Sequence, residues 1–221
     1  MMDRDSIPAW APEAWRAGLA IEHESMRIIE EELGPTEFMP YELPVVYRVI
    51  HATADFDFAK NLRFHARAVQ SGIEAILAGR PILADVSMVR AGINKHLLKK
   101  FGIDIHVPIV SEDCACLAEE KGWTRARSAM HIGAGYEPGI IAIGNAPTAL
   151  LEVIDLISSG KMSPELVVGV PVGFVKAAES KDSLLGLGSP FITSVGRKGG
   201  SPVAIAIVNA LLHMAVDKLQ E

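Results

Sequence analysis

From residue 80 onward, short apolar runs alternate with helix-length amphipathic stretches, and this alternation is the strongest constraint on the fold. The runs are aliphatic and are bounded by Gly, Pro, Asp or Ser; they cover residues 81–85, 103–109, 139–143, 166–170 and 190–195. Alternation of this kind is typical of βα units around a parallel sheet. We therefore expect an α/β fold, a three-layer α/β/α sandwich with five parallel strands.

The first 80 residues have a different pattern. We predict helices over about 17–33, 45–51 and 66–78, with breaks at the Gly and Pro residues between them. Residues 1–16 form an N-terminal extension without a recognisable pattern. With 221 residues, 49% of them hydrophobic, the chain can bury one large core, so we expect a single domain: 17–80 mainly helical and 81–221 built from βα repeats.

Composition excludes several classes of function. The 21 basic and 27 acidic residues give a net charge of −6, which disfavours a nucleic-acid partner. Two cysteines, Cys114 and Cys116, cannot make a disulfide framework or complete a four-ligand zinc site, so we expect reduced thiols, no metal site and a cytoplasmic protein. A charged N-terminus disfavours a signal peptide, and the apolar stretch at 203–216 is too short for a membrane span.

Three glycine-rich loops follow predicted strands, at 144–148, 169–173 and 196–202. Free backbone N–H groups near a helix start suit an anion, and Arg197 and Lys198 add two cations that could hold carboxylates or phosphates. The alternative is that the glycines only make tight turns and the cations are solvated. Because the spacings of the known phosphate loops are missing, nucleotide binding is disfavoured.

Among the seven histidines, His51 has the most favourable position for chemistry. It closes an apolar helix and opens a loop, where a proton donor can be both held and exposed. A residue that titrates near neutrality is suited to general acid catalysis. The alternative is a structural histidine, and spacing alone does not decide between the two.

Six segments have a distinctive sequence. Two of them are Arg-Val-Ile-His-Ala-Thr-Ala-Asp-Phe-Asp-Phe at 48–58 and Gly-Arg-Lys-Gly-Gly-Ser at 196–201. The others are 85–89, 143–150, 169–175 and 177–181. Taken together, and over roughly residues 17–215, they resemble precorrin-8X methylmutases.

The resemblance implies a flavodoxin-like fold and a homodimer that binds its tetrapyrrole substrate near the subunit interface. It implies an isomerase of corrin biosynthesis, which moves a methyl group from C-11 to C-12 of precorrin-8X, with His51 as the proton donor. No cofactor is implied, since any cobalt belongs to the substrate. The form of the His51 and Lys198 motifs is more similar to the branch that acts on cobalt-precorrin-8.

The resemblance also implies substrate-binding residues. The acetate and propionate groups of the substrate require donors, which Arg197, Lys198 and the glycine-rich loops would supply. Gly173 and Gly199 would allow a flat ring to approach the backbone. The remaining implied substrate-binding residues are Ser25, Arg27, Thr53, Arg125, Asn145, Gly200 and Ser201.

Two other classes of function remain open at this point. A non-catalytic tetrapyrrole carrier would bind its ligand without needing His51. A flavodoxin-like regulatory domain would bind phosphorylated ligands instead.

Overall fold

The computed structural model describes the backbone of residues 13–220 and the side chains of residues 18–220. Residues 1–12 of the predicted extension lie outside the described residues, whereas 13–16 already belong to the first helix. The helices are α1 Glu13–Leu33, α2 Leu43–Thr53, α3 Phe58–Asn61, α4 Ala68–Leu77, α5 Ser87–Gly92, α6 Lys95–Phe101, α7 Glu112–Lys121, α8 Arg125–Gly133, α9 Pro147–Ser158, α10 Ala177–Leu185 and α11 Ser201–Lys218. The strands are β1 Leu62–Phe64, β2 Ile82–Ala84, β3 Ile105–His106, β4 Ile140–Ile143, β5 Leu166–Gly169 and β6 Phe191–Ser194.

All six strands form one sheet in the order β1-β6-β5-β4-β2-β3. The five predicted strands, β2 to β6, are parallel, and their order is that of flavodoxin-like sheets. The predicted count of five was one short, because β1 adds an antiparallel edge strand beside β6. This strand has three residues with the exposed Arg63 at its centre, so it contains no apolar run from which a strand could be predicted.

Alternate strand residues point into two separate hydrophobic clusters, as the period of a β-strand requires. Ile82, Ile140 and Val168 pack with α2, α4, α5, α6 and α11 on one face. Leu83, Ile141 and Val167 pack with α7, α8, α9 and α10 on the other. The predicted three-layer α/β/α sandwich is therefore confirmed.

Helix α11 begins with Pro202 in its first turn and is buried along most of its length. By length and hydropathy it is the one described helix that could cross a membrane, and 56% of it is buried inside the fold. It packs against α2, α4, α5 and strands β4 and β5, which is the position of a central core helix.

The carboxyl ends of the parallel strands lie along one edge of the sheet, hereafter the carboxyl edge. Because β1 is antiparallel to β6, the residues just before β1 reach the same edge, and the amide of Val195 donates to the carbonyl of Asn61 at 2.8 Å. The end of α2 and the loops after β2, β4, β5 and β6 therefore meet there. In open α/β sheets this is where ligands bind.

Candidate functional site at the carboxyl edge

His51 lies in the last turn of α2 and is exposed. The opposite face of the helix is anchored in the core by Val45, Val46, Val49 and Ile50. Helix α2 ends at Ala54, whose φ of 51° is left-handed and whose amide donates to the Ile50 carbonyl at 2.7 Å. Among residues 18–220, no hydrogen-bond partner engages the imidazole. Helix α2 thus presents the imidazole at the carboxyl edge, and the predicted exposed position at a helix end is confirmed.

Thr53, a predicted substrate-binding residue, takes part in closing this helix. Its hydroxyl donates to the Val49 carbonyl at 2.8 Å and accepts from the amide of Asp55 at 3.3 Å. The carboxylate of Asp55 in turn accepts from the amide of Asp57 at 2.9 Å. These bonds fix the turn after His51.

Lys198 ties this turn to the loop after β6. Its Nζ donates to Asp55 at 2.7 Å and to Asp57 at 2.6 Å. The bond from Lys198 lowers the pKa of Asp55, and the two carboxylates raise the pKa of Lys198. The charge of Lys198 is therefore balanced within the chain, and its role in binding the substrate stays a prediction.

The loop at 196–200 packs backbone to backbone against the loop after β5. The amide of Gly200 donates to the Val170 carbonyl at 2.8 Å, and that of Gly173 donates to the Arg197 carbonyl at 3.3 Å. A Cβ on Gly199 would lie 2.2 Å from the Val170 carbonyl oxygen. Glycine at 199 is thus required by contact between two loops, a reason that the sequence analysis did not anticipate.

Arg197 remains available at this surface. Its guanidinium carbon lies 5.5 Å from the ring centroid of Phe174, which is 85% exposed, as Val175 is at 79%. A guanidinium above an aromatic ring beside exposed aliphatic groups offers both a cation for carboxylates and an apolar surface for a flat ring.

The loop after β4 holds an anion of the protein itself. The buried carboxylate of Asp85 accepts from the amides of Gly144 at 3.3 Å, Asn145 at 2.8 Å and Ala146 at 2.9 Å, just before α9. Burial raises the pKa of Asp85, while the three amides act in the opposite direction. The expectation that this loop donates its amides to substrate was wrong, because Asp85 occupies them; the Asn145 side chain stays exposed.

Ser201 lies under the same loop. It is buried at the start of α11, and a Cβ on Gly144 would lie 2.6 Å from its Cα. Ser201 therefore joins the loops after β4 and β6 by close backbone contact.

Arg125 starts α8 on the other side of the sheet. It is exposed, and its Nη2 donates to the Ile109 carbonyl at 2.7 Å. The neighbouring Thr124 hydroxyl donates to Thr148 in the first turn of α9 at 3.1 Å. Arg125 is therefore close to the carboxyl edge.

Ser25 and Arg27 lie on α1, which packs against α2 with an ion pair between Glu22 and Arg48. The Ser25 hydroxyl donates to the Ile21 carbonyl at 2.8 Å within α1. Arg27 is bound by Glu24 at 2.6 Å and by Glu31 in its own helix.

A cavity of about 720 Å³ lies at another place, between the 33–42 segment and β1. Its lining includes three acidic residues, Glu32, Glu37 and Glu42, and two basic ones, Lys60 and Arg63. None of the predicted catalytic or substrate-binding residues is part of this lining, so the carboxyl edge remains the candidate site.

Asp85 and Lys181 support loops of the carboxyl edge and were not predicted from the sequence, although both lie in segments that carried the resemblance. Lys181 is fully buried, and its Nζ lies 2.6 Å from the Lys198 carbonyl oxygen. For Asp85, the only available signal was a charged residue at the end of an apolar run, whereas Lys181 lies among the polar residues of 179–183 and had no such signal.

The chain matches the family model for precorrin-8X methylmutase over residues 20–214. It is 49% identical to the cobalt-precorrin-8 methylmutase of Priestia megaterium, over 88% of this chain and 87% of the relative. Identity to the protein of the same name from Leptospira interrogans is 46%, over 90% and 94%. The precorrin-8X methylmutase of Pseudomonas aeruginosa is 38% identical, over 89% and 95%.

A solved structure has the same fold. It is the precorrin-8X methylmutase of Thermus thermophilus, with a TM-score of 0.85 and 42% identity over 91% of this chain and 98% of that one.

Proposed function

Since this chain belongs to the precorrin-8X methylmutase family and is an isomerase of cobalamin biosynthesis, we propose that its substrate is cobalt-precorrin-8 and that His51 is the proton donor. The exposed imidazole of His51 on the rigid end of α2 is the observation that carries the assignment of the donor. It lies at the carboxyl edge, next to the turn that Lys198 holds.

The chemistry requires little more than a proton. A methyl group on an sp³ ring carbon interrupts conjugation, and protonation of the macrocycle makes the ring a better electron sink for a 1,5-shift. The bond from the methyl group to C-11 breaks as the bond to C-12 forms. Substrate and product are isomers, so the donated proton is returned within the cycle, and the step needs no cofactor.

We propose that the macrocycle lies on the open surface formed by the loops after β5 and β6. Arg197 would bind a rim carboxylate, and the exposed Phe174 and Val175 would contact the ring. Thr53, Asn145 and Arg125 border this surface. The backbone of Gly173, Gly199, Gly200 and Ser201 shapes it.

A homodimer fits this open surface, because one chain leaves Phe174 and Arg197 uncovered. We propose that a second copy covers the substrate. Ser25 and Arg27, whose hydrogen bonds within the chain stay on α1, would then reach the substrate from the second copy. We place this dimer in the cytoplasm.

Assignment to the cobalt-containing substrate is supported by two of the most similar relatives, at 49% and 46% identity, which are both named cobalt-precorrin-8 methylmutase. Proteins named precorrin-8X methylmutase are 42% and 38% identical to this chain. The sequences of the motifs around His51 and Lys198 also favour the branch that acts on cobalt-precorrin-8.

The test is the visible absorption spectrum of the protein mixed with cobalt-precorrin-8 or with the cobalt-free precorrin-8X. We expect conversion to the corrinoid product, faster with the cobalt form. In His51→Ala, turnover should fall about 10²-fold or more, the usual scale of general acid catalysis, with binding retained. His96→Ala, at an exposed position on α6, is the control and should keep full activity.

Full activity of His51→Ala would eliminate His51 as the donor. Binding without conversion by the wild-type protein would indicate a carrier instead of an enzyme. Faster conversion of precorrin-8X would reverse the assignment of the substrate.

A further inference from the structure

Lys181, on α10, is fully buried beneath the turn at 196–200. Its Nζ donates to the Lys198 carbonyl at 2.6 Å and lies 3.4 Å from the Ser194 hydroxyl. Ser194 donates to the same carbonyl at 2.9 Å. Lys181 thus supports the turn from the inside of the protein.

This buried ammonium has no counter-ion within reach. Among the described residues, no carboxylate lies within 4.0 Å of its Nζ. On its own helix, Asp182 acts on it only at longer range. Burying a charge is expensive, and a neutral donor would satisfy the same carbonyl oxygen.

The charged groups on the elements around Lys181 are either paired with other charges or exposed to solvent. On the turn, Lys198 is bound by Asp55 and Asp57. On α9, which packs against α10, Glu152 is 5% exposed and accepts from Arg127 at 2.6 Å and contacts His131 at 3.1 Å. Asp155 on α9 is exposed.

The charges on the outside of the turn cancel. Lys198 is paired with both Asp55 and Asp57, and Arg197 is a second exposed cation, so two positive and two negative formal charges lie there. The charge of Lys181 is therefore the excess that makes this turn positive, and it acts through a low-dielectric interior, where its field is weakly screened.

We propose that Lys181 is a positioning residue for the substrate: its buried charge holds the 196–200 turn through the Lys198 carbonyl and attracts a rim carboxylate to the outside of that turn. This inference rests on the proposed function, since it requires a substrate that carries carboxylates. A mainly structural role would need only a hydrogen-bond donor at this position.

The test compares Lys181→Gln, which keeps a donor without the charge, with Lys181→Arg, which keeps the charge. Lys161→Gln is the control: it changes net charge equally at an exposed position after α9, near the opposite edge of the sheet. The readouts are kcat and KM for cobalt-precorrin-8 and the Kd of the product, cobyrinate. We expect Lys181→Gln to raise KM and Kd about tenfold at low ionic strength, with kcat changed less than about twofold.

Lys181→Arg should retain most of the affinity, and Lys161→Gln should leave it unchanged. An unchanged Kd in Lys181→Gln would overturn the proposal, as would an equal loss of affinity in the Gln and Arg variants. Turnover by the wild-type protein in the same assay checks the proposed function separately.

A second test uses only the wild-type protein, so it does not depend on the folding of a variant. Burial lowers the pKa of Lys181 to about 8, so its charge is present at neutral pH and lost as pH rises through that value. The Kd of cobyrinate should therefore rise several-fold above pH 8, while its carboxylates stay ionised throughout. A Kd that stays constant up to about pH 9.5, beyond the lowered value by more than a unit, would overturn the proposal.

Discussion

Two glycine-rich loops at the carboxyl edge share a sequence pattern but face different partners. The loops at 144–148 and 196–202 each follow a strand and each lead into a helix with proline in its first turn. In the first, the buried carboxylate of Asp85 accepts three backbone amides. In the second, the side chains of Arg197 and Lys198 are exposed and a buried lysine lies beneath.

The two loops show that the same kind of turn before a helix can bind an anion of the protein itself or be left for a ligand. A run of free amides before a helix attracts an anion, and the pattern of glycines does not say whether the protein supplies that anion itself. After β4 the protein supplies the anion, which is the carboxylate of Asp85, so this loop has a structural role. After β6, no carboxylate among the described residues pairs with the buried Lys181, so the loop keeps an excess positive charge from beneath and is suited to an anionic ligand.

The largest expected effect on stability comes from removing the Asp85 carboxylate from the loop at 144–148. Asp85→Ala leaves three amides without their acceptor and a cavity beneath β4, so we expect the free energy of unfolding to fall by about 3 kcal/mol. Urea denaturation followed by circular dichroism measures this loss. Asp85→Asn keeps one acceptor oxygen and should lose less.

Added formate should restore part of the stability of Asp85→Ala, because it can occupy the vacated amides, and should not stabilise the wild-type protein. An Asp85→Ala variant as stable as the wild type would show that the amides do not depend on this carboxylate, and the contrast between the two loops would fail.

The sequence predicted the strands of the sheet better than the residues that contact the loops after them. The five parallel strands are apolar runs with Gly, Pro, Asp or Ser at their ends, and hydrophobic periodicity identifies such segments directly. Strand β1 was missed because it is short and lies at an edge with Arg63 pointing outward.

The partners of the loops depend on contacts that are distant in sequence. Asp85 is 60 residues from Asn145, Lys198 is 143 residues from Asp55, and neither pairing leaves a local pattern. His51 was identified correctly as exposed at a helix end because its placement follows from the adjacent apolar run. The balance of charge around Lys198 could not be identified in that way.

A smaller effect is expected where the two loops touch their neighbours. A Cβ at Gly199 or Gly144 would meet backbone atoms at 2.2 Å or 2.6 Å, which cannot move aside as a flexible side chain would. Gly199→Ala and Gly144→Ala should each lower the free energy of unfolding by about 2 kcal/mol. Gly188→Ala, where a Cβ would have nothing within 4 Å, is the control and should stay within about 0.5 kcal/mol of the wild type.

If the glycines served only ring binding, Gly199→Ala would keep its stability and lose affinity for cobyrinate. Thermal unfolding and product binding, measured on the same samples, separate the two explanations. A stable Gly199→Ala would show that the contact with the Val170 carbonyl is not the reason for glycine at this position.

The smallest effect is expected from the open loop, and it should appear in binding instead of stability. In the double variant Arg197→Ala with Lys198→Ala, we expect affinity for cobyrinate to fall about tenfold at low salt and the difference to shrink as salt rises, because exposed charges are screened. Unfolding should change little, since ion pairs as exposed as that of Lys198 with Asp57 contribute little to stability. The matched variant is Arg63→Ala, which removes an exposed cation from β1 and should leave binding unchanged. If the double variant keeps its affinity for cobyrinate, the substrate carboxylates are bound by other residues. If it loses much of its stability, the loop after β6 has a structural role like that of the loop after β4.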